Sequence, residues 1–381
     1  MSHRLESGGA GIDRSKPLRF TFDGVEYAGF EGDTLASALL ANGVISGFRS
    51  PILGRPRGIY SAGTEEPNAF VEISEPWFDP IVAATMAPLV DGMIAGSRAG
   101  VGRLSPERSS SRQVEHRHRH VETLIVGGGA KGIATAREAA SAGDRVLLVE
   151  EDALVAPDMP HGDDVTLLPR ATVLGLYDNG FAVVHESAAG FERVWHVRAR
   201  RVVLATGAHE RYVAFGNCDL PGVMLASATT AYVERFGVLP GARAAVFTTN
   251  DGGLEAADVL REAGADVVAV ADARKGEALV RATGDGRVEA VVVRESDGAE
   301  RTIEADLVAV AGGWSPAVQL WRAIGGGLAW DEERACFLPD GNGPAWLEVV
   351  GRASGDGLPA SAPYWFVPAQ DLSTHFVDFQ R

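Results

Sequence analysis

The chain has 381 residues, of which 46% are apolar, enough for a sizeable core in two or three domains and too many for a disordered protein. Its net charge of −16 argues against a nucleic-acid surface and against an anionic membrane. No long apolar run and no apolar leader core are present, and the two cysteines, Cys218 and Cys336, are too few for four thiolate ligands, so the expectation is a cytoplasmic protein with no membrane span, no structural zinc and no iron–sulfur cluster.

Residues 17–30 alternate apolar and polar around Asp23 and Gly24, which predicts a hairpin. Asp33 and Thr34 are placed to cap a helical pattern that stops at Gly43. An Arg/Pro/Gly loop spans 49–69 and a short strand follows at 69–73, so residues 13–97 read as a small α+β domain. Residues 98–120, polar, serine-rich and ending in His116, His118 and His120, read as a linker. The HxHxH spacing could suit a metal, but its basic, serine-flanked setting favours solvated side chains.

The next segment carries the chemistry. An apolar strand at 123–126 runs into Gly127, Gly129 and Gly132, spaced as GxGxxG; a small-residue helix follows, then a second apolar strand ending in Glu150. Gly127 permits a tight turn, Gly129 lets backbone approach a pyrophosphate, and Gly132 lets helix and strand pack closely. The helix N-terminus offers free N–H groups to phosphate, and Glu150 stands where an acid accepts hydrogen bonds from ribose hydroxyls and disfavours a 2′-phosphate. Lys131 lies inside this loop, in a chain whose other lysines are only Lys16 and Lys275, and could add a point charge near the phosphates.

Strands are predicted at 166–176, 181–186 and 193–197, leading to a strand at 201–205 that ends in Thr206 and Gly207. A weaker echo of the first unit begins at Ala244, with Thr248 and Asn250 where the first two glycines would stand and Gly253 in place of the third. Further strands are predicted at 288–294, 305–310 and 347–351. The layout is a dinucleotide domain, 121–240 plus 306–381, interrupted by a second Rossmann-like domain, 241–305. His209 and Glu210 read as a loop end, Cys218 as a structural thiol, and Trp314, Trp321, Trp346 and Trp365 as core or interface anchors. No nucleophile elbow or HExxH motif supports a hydrolase, and no catalytic residue is assigned.

Segments 11–24, 32–44, 55–69, 203–211, 219–241, 311–321 and 376–380 together make the chain resemble the N-terminal part of the α subunit of heterotetrameric sarcosine oxidase and related amine and opine oxidoreductase α subunits. The resemblance implies an α/β fold with nested Rossmann-like domains of flavodisulfide-reductase type behind a small ferredoxin-like domain. It implies NAD, or FAD in some relatives, at the dinucleotide site, where the residues read as its holders in this chain are Gly127, Gly129, Lys131, Gly132, Glu150, Thr206 and Gly207. It further implies that amine oxidation belongs to a β-type flavoprotein partner. The chain departs from these relatives in having no folate domain, no cysteine at 30–70, shorter stretches after Glu150 and Arg274, and Ala130 and Lys131 where Pro-Ala is usual. A stand-alone FAD- or NAD-dependent oxidoreductase and a non-catalytic nucleotide-binding scaffold are the alternatives.

Overall fold

The structure, a computed structural model, describes residues 3–99, 102, 114–152, 164–188 and 191–362. These fall into two compact units, one drawn from Met1–Ser109, Glu210–Gly313 and Pro359–Arg381, the other from Ser110–His209 and Trp314–Leu358. The unit boundaries place residues 210–240 with the second Rossmann-like fold, where the sequence pattern had grouped them with the first.

In the first unit, strands Asp13–Phe22 and Val25–Glu31 form the N-terminal hairpin. Asp23 and Gly24 turn it with φ of 47° and 80°, the two positive values that a tight primed turn requires. The hairpin extends into a five-stranded sheet through Met93–Arg98, Phe70–Glu75 and Asp79–Ala83, in that spatial order. Helix Leu35–Ala41, buried along its whole length, packs into the core that this sheet supplies. Thr34 caps it: its hydroxyl accepts the Ser37 N–H, and the Ser37 hydroxyl accepts the Thr34 N–H. Asp33, buried beside this cap, takes the Ser37 hydroxyl and the Phe30 N–H and pairs with Arg4 at 2.6 Å.

The same unit contains a four-stranded parallel sheet in the order Val223–Leu225, Leu307–Ala311, Arg243–Thr248, Asp266–Asp272. Helices Ala226–Glu234 and Asp251–Glu262 accompany it, and a three-stranded antiparallel meander, Ala278–Thr283, Ala290–Arg294 and Glu300–Glu304, bridges its last two chain segments.

The second unit is built on parallel strands in the order Val165–Leu168, Val146–Val149, Val114–Val126, Phe191–Leu204, with Leu347–Val349 beside the last of these. The segments expected as separate strands at 193–197 and 201–205 are one strand of 14 residues. Its first half pairs with the antiparallel strand Phe181–Ala188, and its second half pairs with Leu347–Val349. One strand thus serves both a meander and the dinucleotide sheet, so no turn signal separates them. Residues 114–120 also differ from expectation. They are not linker but the leading half of Val114–Val126, laddered along the long partner strand from Glu192 to Arg198. Their polar composition reflects a strand exposed on both faces rather than a loop. Residues 100, 101 and 103–113 of the expected linker, Trp365 and segment 376–380 lie outside the described residues.

Candidate functional site

The parallel sheet of the second unit reverses its winding between Val114–Val126 and Phe191–Leu204, because the second and third strands lie to one side of the first strand and the later ones to the other. Such a switch point opens a crevice beyond the carboxyl ends of the strands, where ligands of doubly wound folds bind. Residues 127–129 leave the first strand at that crevice and enter helix Ala130–Ser141.

The three glycines of the turn meet different demands. Gly127 has φ +105°, and a Cβ there would lie 2.3 Å from the Ala205 carbonyl oxygen. A Cβ on Gly132 would lie 1.9 Å from the Gly127 carbonyl oxygen. Gly129, in ordinary extended backbone as the helix N-cap, would meet nothing within 4 Å. Two glycines therefore close the turn against the sheet, and the third faces open space. The helix that follows has no side-chain cap and no acid in its first turn, so its N-terminal N–H groups and dipole face that space.

The space is a cavity of about 630 Å³. Gly129, Ala130 and Lys131 line it from the turn, Ala205 and Gly207 from the end of the long strand, and Val350, Gly351, Arg352, Asp356 and Gly357 from the segment after Leu347–Val349. Of the predicted residues, Gly129, Lys131 and Gly207 thus share one cavity. Thr206 does not line it; its hydroxyl donates to the Ala317 carbonyl at 2.6 Å and anchors the backbone next to Gly207. Glu150 accepts N–H hydrogen bonds from Gly128 and, at 2.8 Å, from Asp152. A carboxylate has about four acceptor positions, so two remain for hydroxyls. The arrangement fits a dinucleotide: a cradle in which a Cβ would collide, an uncapped helix end, cationic side chains and a half-engaged acid. The residues after the fifth strand were missed by sequence reasoning. Their one local signal is the glycine-rich run Gly351, Gly355 and Gly357 directly behind a strand.

The echo in the first unit is built differently. Thr248, Thr249 and Asn250 are fully buried. The Asn250 side-chain oxygen accepts the Gly252 N–H at 2.9 Å and so caps helix Asp251–Glu262 from within. Asp272, at the end of the next strand, is held by Arg274 at 2.9 Å, and this guanidinium draws its carboxyl below the ordinary range. The groups that an open turn would present to a ligand are engaged here with the chain itself.

Glu210 is buried and accepts the Ser227 N–H at 2.7 Å, at the start of helix Ala226–Glu234. Burial pushes the Cys218 thiol up, away from the thiolate a redox role needs, and Cys336 is buried. His116 hydrogen-bonds His196 ring to ring at 3.1 Å, and His118 stacks on the same ring at 4.8 Å. No group of three or more His, Cys, Asp or Glu able to hold a metal ion occurs among the described residues. Among the same residues, no helix is long and apolar enough to cross a membrane.

The fold and the open turn together define a protein of the nested Rossmann, flavodisulfide-reductase class behind a small N-terminal module. Its architecture is similar to that of L-proline dehydrogenase from P. horikoshii, with a TM-score of 0.74 and 20% identity over 96% of this chain and 82% of that one. The chain is a homologue of sarcosine oxidase α subunits. It is 36% identical to the subunit of Corynebacterium sp. (strain P-1), covering all of this chain and 50% of that protein. It is 34% identical to the subunit of Rhizobium meliloti (strain 1021), covering all of this chain and 52% of that one. The chain therefore spans about half the length of these relatives.

Residues 15–100 match the family described as 2Fe-2S iron–sulfur cluster binding domain. This match contradicts the expectation, drawn from cysteine number, that no iron–sulfur cluster is present. Counting thiols tests for ligands and is blind to the fold that carries them. The residues present do not fit the cluster itself by thiolate ligation, because Cys218 and Cys336 both lie outside 15–100. Within that module the buried Glu66 carboxylate gathers the loop instead, accepting N–H groups from Tyr60, Ser61, Asn68 and Ala69 at 2.7–3.0 Å.

Proposed function

We propose that this chain is the dinucleotide-holding, α-type part of a heteromeric amine oxidoreductase of the sarcosine oxidase type, with amine oxidation carried out on a β-type flavoprotein partner. The observation that carries the reading is the open cradle at 127–132, facing a cavity large enough for much of a dinucleotide, in a chain homologous along its length to sarcosine oxidase α subunits. In this reading Gly127, Gly129 and Gly132 shape the pyrophosphate seat, Glu150 receives ribose hydroxyls, Gly207 lines the cavity and Thr206 anchors the backbone beside it. The bound NAD or FAD supplies hydride chemistry, and the chain supplies orientation and charge. Two cysteines outside any disulfide suit the cytoplasm.

The test has two arms. Calorimetric titration should show binding of NAD or FAD, and NAD should bind more tightly than NADP because the Glu150 carboxylate repels a 2′-phosphate. Tighter binding of NADP would remove Glu150 from the ribose. A dye-reduction assay with sarcosine, proline and opines should show negligible turnover by the chain alone and turnover once a β-type flavoprotein is added. Robust oxidation by the isolated chain would replace this reading with a stand-alone oxidoreductase. Absence of any dinucleotide binding would leave a scaffold.

A further inference from the structure

The cavity carries two cations, and only one of them, Lys131, belongs to the glycine turn. The other is Arg352, more than two hundred residues later in the chain. We propose that Arg352 and Lys131 together form the seat for the bridging phosphates of the ligand, and that Trp314 sets the position of the Arg352 guanidinium. The proposal rests on the dinucleotide reading above and adds which side chains select the diphosphate.

Three observations support it. First, the two residues arise from touching backbone. A Cβ on Gly351, which has φ +67°, would lie 3.0 Å from the Lys131 Cβ, so the lysine stem packs directly against the residue preceding Arg352. Any larger residue at 351 would push the two cations apart. Second, the Arg352 guanidinium lies over the Trp314 ring, 4.9 Å from its centre. Stacking on an aromatic face restrains the side chain while leaving the in-plane N–H donors available to phosphate oxygens. Third, neither Lys131 nor Arg352 has an ion-pair partner among the described residues. Elsewhere in this acidic chain arginines are matched to carboxylates, as Arg4 is to Asp33, Arg57 to Asp219 and Arg274 to Asp272. Two unmatched cations on one cavity wall suit an anion that arrives from outside. Asp356 also lines the cavity, and a carboxylate there favours hydroxyls over phosphates. Two cations and one acid meet the requirements of a diphosphate flanked by sugar hydroxyls, the chemistry shared by NAD, FAD and ADP-ribose.

Calorimetric titration of the whole chain with NAD and with ADP-ribose, repeated over a range of salt concentration, tests the seat. Arg352→Ala and Lys131→Ala should each weaken both ligands about tenfold, the scale of a lost charge-assisted hydrogen bond. The salt dependence of affinity, steep in the wild type, should become shallower in each variant, a change that a merely structural role would not produce. Arg352→Lys should recover part of the loss, since the charge remains but the planar fork does not. Trp314→Leu should weaken binding less than Arg352→Ala and leave the salt dependence close to that of the wild type, because the charge remains. If Arg352→Ala binds ADP-ribose with wild-type affinity and salt dependence while Gly129→Trp abolishes binding, the phosphate seat is refuted and the dinucleotide reading survives. If the wild-type chain binds neither ligand, both are refuted.

Discussion

Gly132→Ala should destabilise the second unit by about 3 kcal/mol or more, whereas Gly129→Trp should leave its stability near that of the wild type and abolish dinucleotide binding. The two glycines are three residues apart in the same turn, yet they face opposite constraints. The added methyl at 132 would sit 1.9 Å from the Gly127 carbonyl oxygen and 3.3 Å from the Ala205 Cβ. The first of these partners is backbone, which cannot rotate away as a side chain would. Relief requires the helix to lift from the strand, and Ile133 and Ala136 would lose their packing on the core formed with Ile125 and Leu148. Gly129 has φ −68°, and its Cβ direction is open, so a side chain there costs little in the empty protein. It projects instead into the space where the pyrophosphate would lie. Chemical denaturation and calorimetric titration of the two variants separate the effects. Wild-type stability in Gly132→Ala would contradict the close turn, and wild-type affinity in Gly129→Trp would move the ligand away from it.

Glu66→Ala should cost the first unit about 4 kcal/mol, close to one for each of the four N–H groups it leaves without an acceptor. The carboxylate is 3% exposed and joins two strands of the same loop: Tyr60 and Ser61 donate to one oxygen, Asn68 and Ala69 to the other. The loop it organises is also clamped to the parallel sheet of that unit. Leu225 donates its N–H to the Tyr60 carbonyl at 2.9 Å, and the buried Tyr232 hydroxyl donates to the Ser61 carbonyl at 2.7 Å. Loss of the carboxylate should therefore loosen both the module and its seat on the second fold. Glu66→Gln keeps the volume but turns an amide NH₂ toward one pair of N–H donors, so it should recover only about half of the loss. Burial pushes the Glu66 carboxyl above its ordinary range, and the four N–H groups offset this only in part. A raised folded value means that this group's proton-linked stability is fully present below the ordinary carboxylate range and is lost as pH rises through the folded value. The advantage of wild type over Glu66→Gln should accordingly be largest in acid and diminish toward neutrality. Denaturant unfolding of the three proteins at several pH values reads all of these effects. A Glu66→Ala protein with unchanged stability would show that the loop does not depend on its carboxylate.

Much of the fold was legible in local spacing. Asp23, Gly24 and Gly127 take positive backbone angles that few other residues adopt, Asp33 and Thr34 signal a helix cap, and Gly129 and Gly132 leave room for close approach, so short windows announce the hairpin, the cap and the phosphate-type turn. The parallel strand at 146–149 was legible from its pattern too, since a strand buried on both faces must be continuously apolar. The N-terminal module was legible as ferredoxin-like through the family resemblance, but the cysteine count led to an expectation of no cluster, which the family match contradicts. Kinship there lies in the whole pattern of 15–100, while the cysteines that usually announce it are absent from that stretch.

What only the tertiary structure decided involves partners far apart in the chain. Residues 114–120 look like a polar linker because both faces of this half of the strand are in water; the ladder that makes them a strand comes from residues 192–198. Glu66 looks like any surface acid until four N–H groups from both sides of its loop converge on it. Thr206 looks like a ligand residue, yet its hydroxyl is taken by Ala317. Arg352 carries no motif of its own; strand order brings it beside Lys131, and Trp314 holds it there. The sequence by itself determined the backbone turns, because dihedral preference is a property of single residues and their immediate neighbours. The tertiary structure decided which side chains meet, because contact between distant segments is set by sheet order and register, which no short window contains.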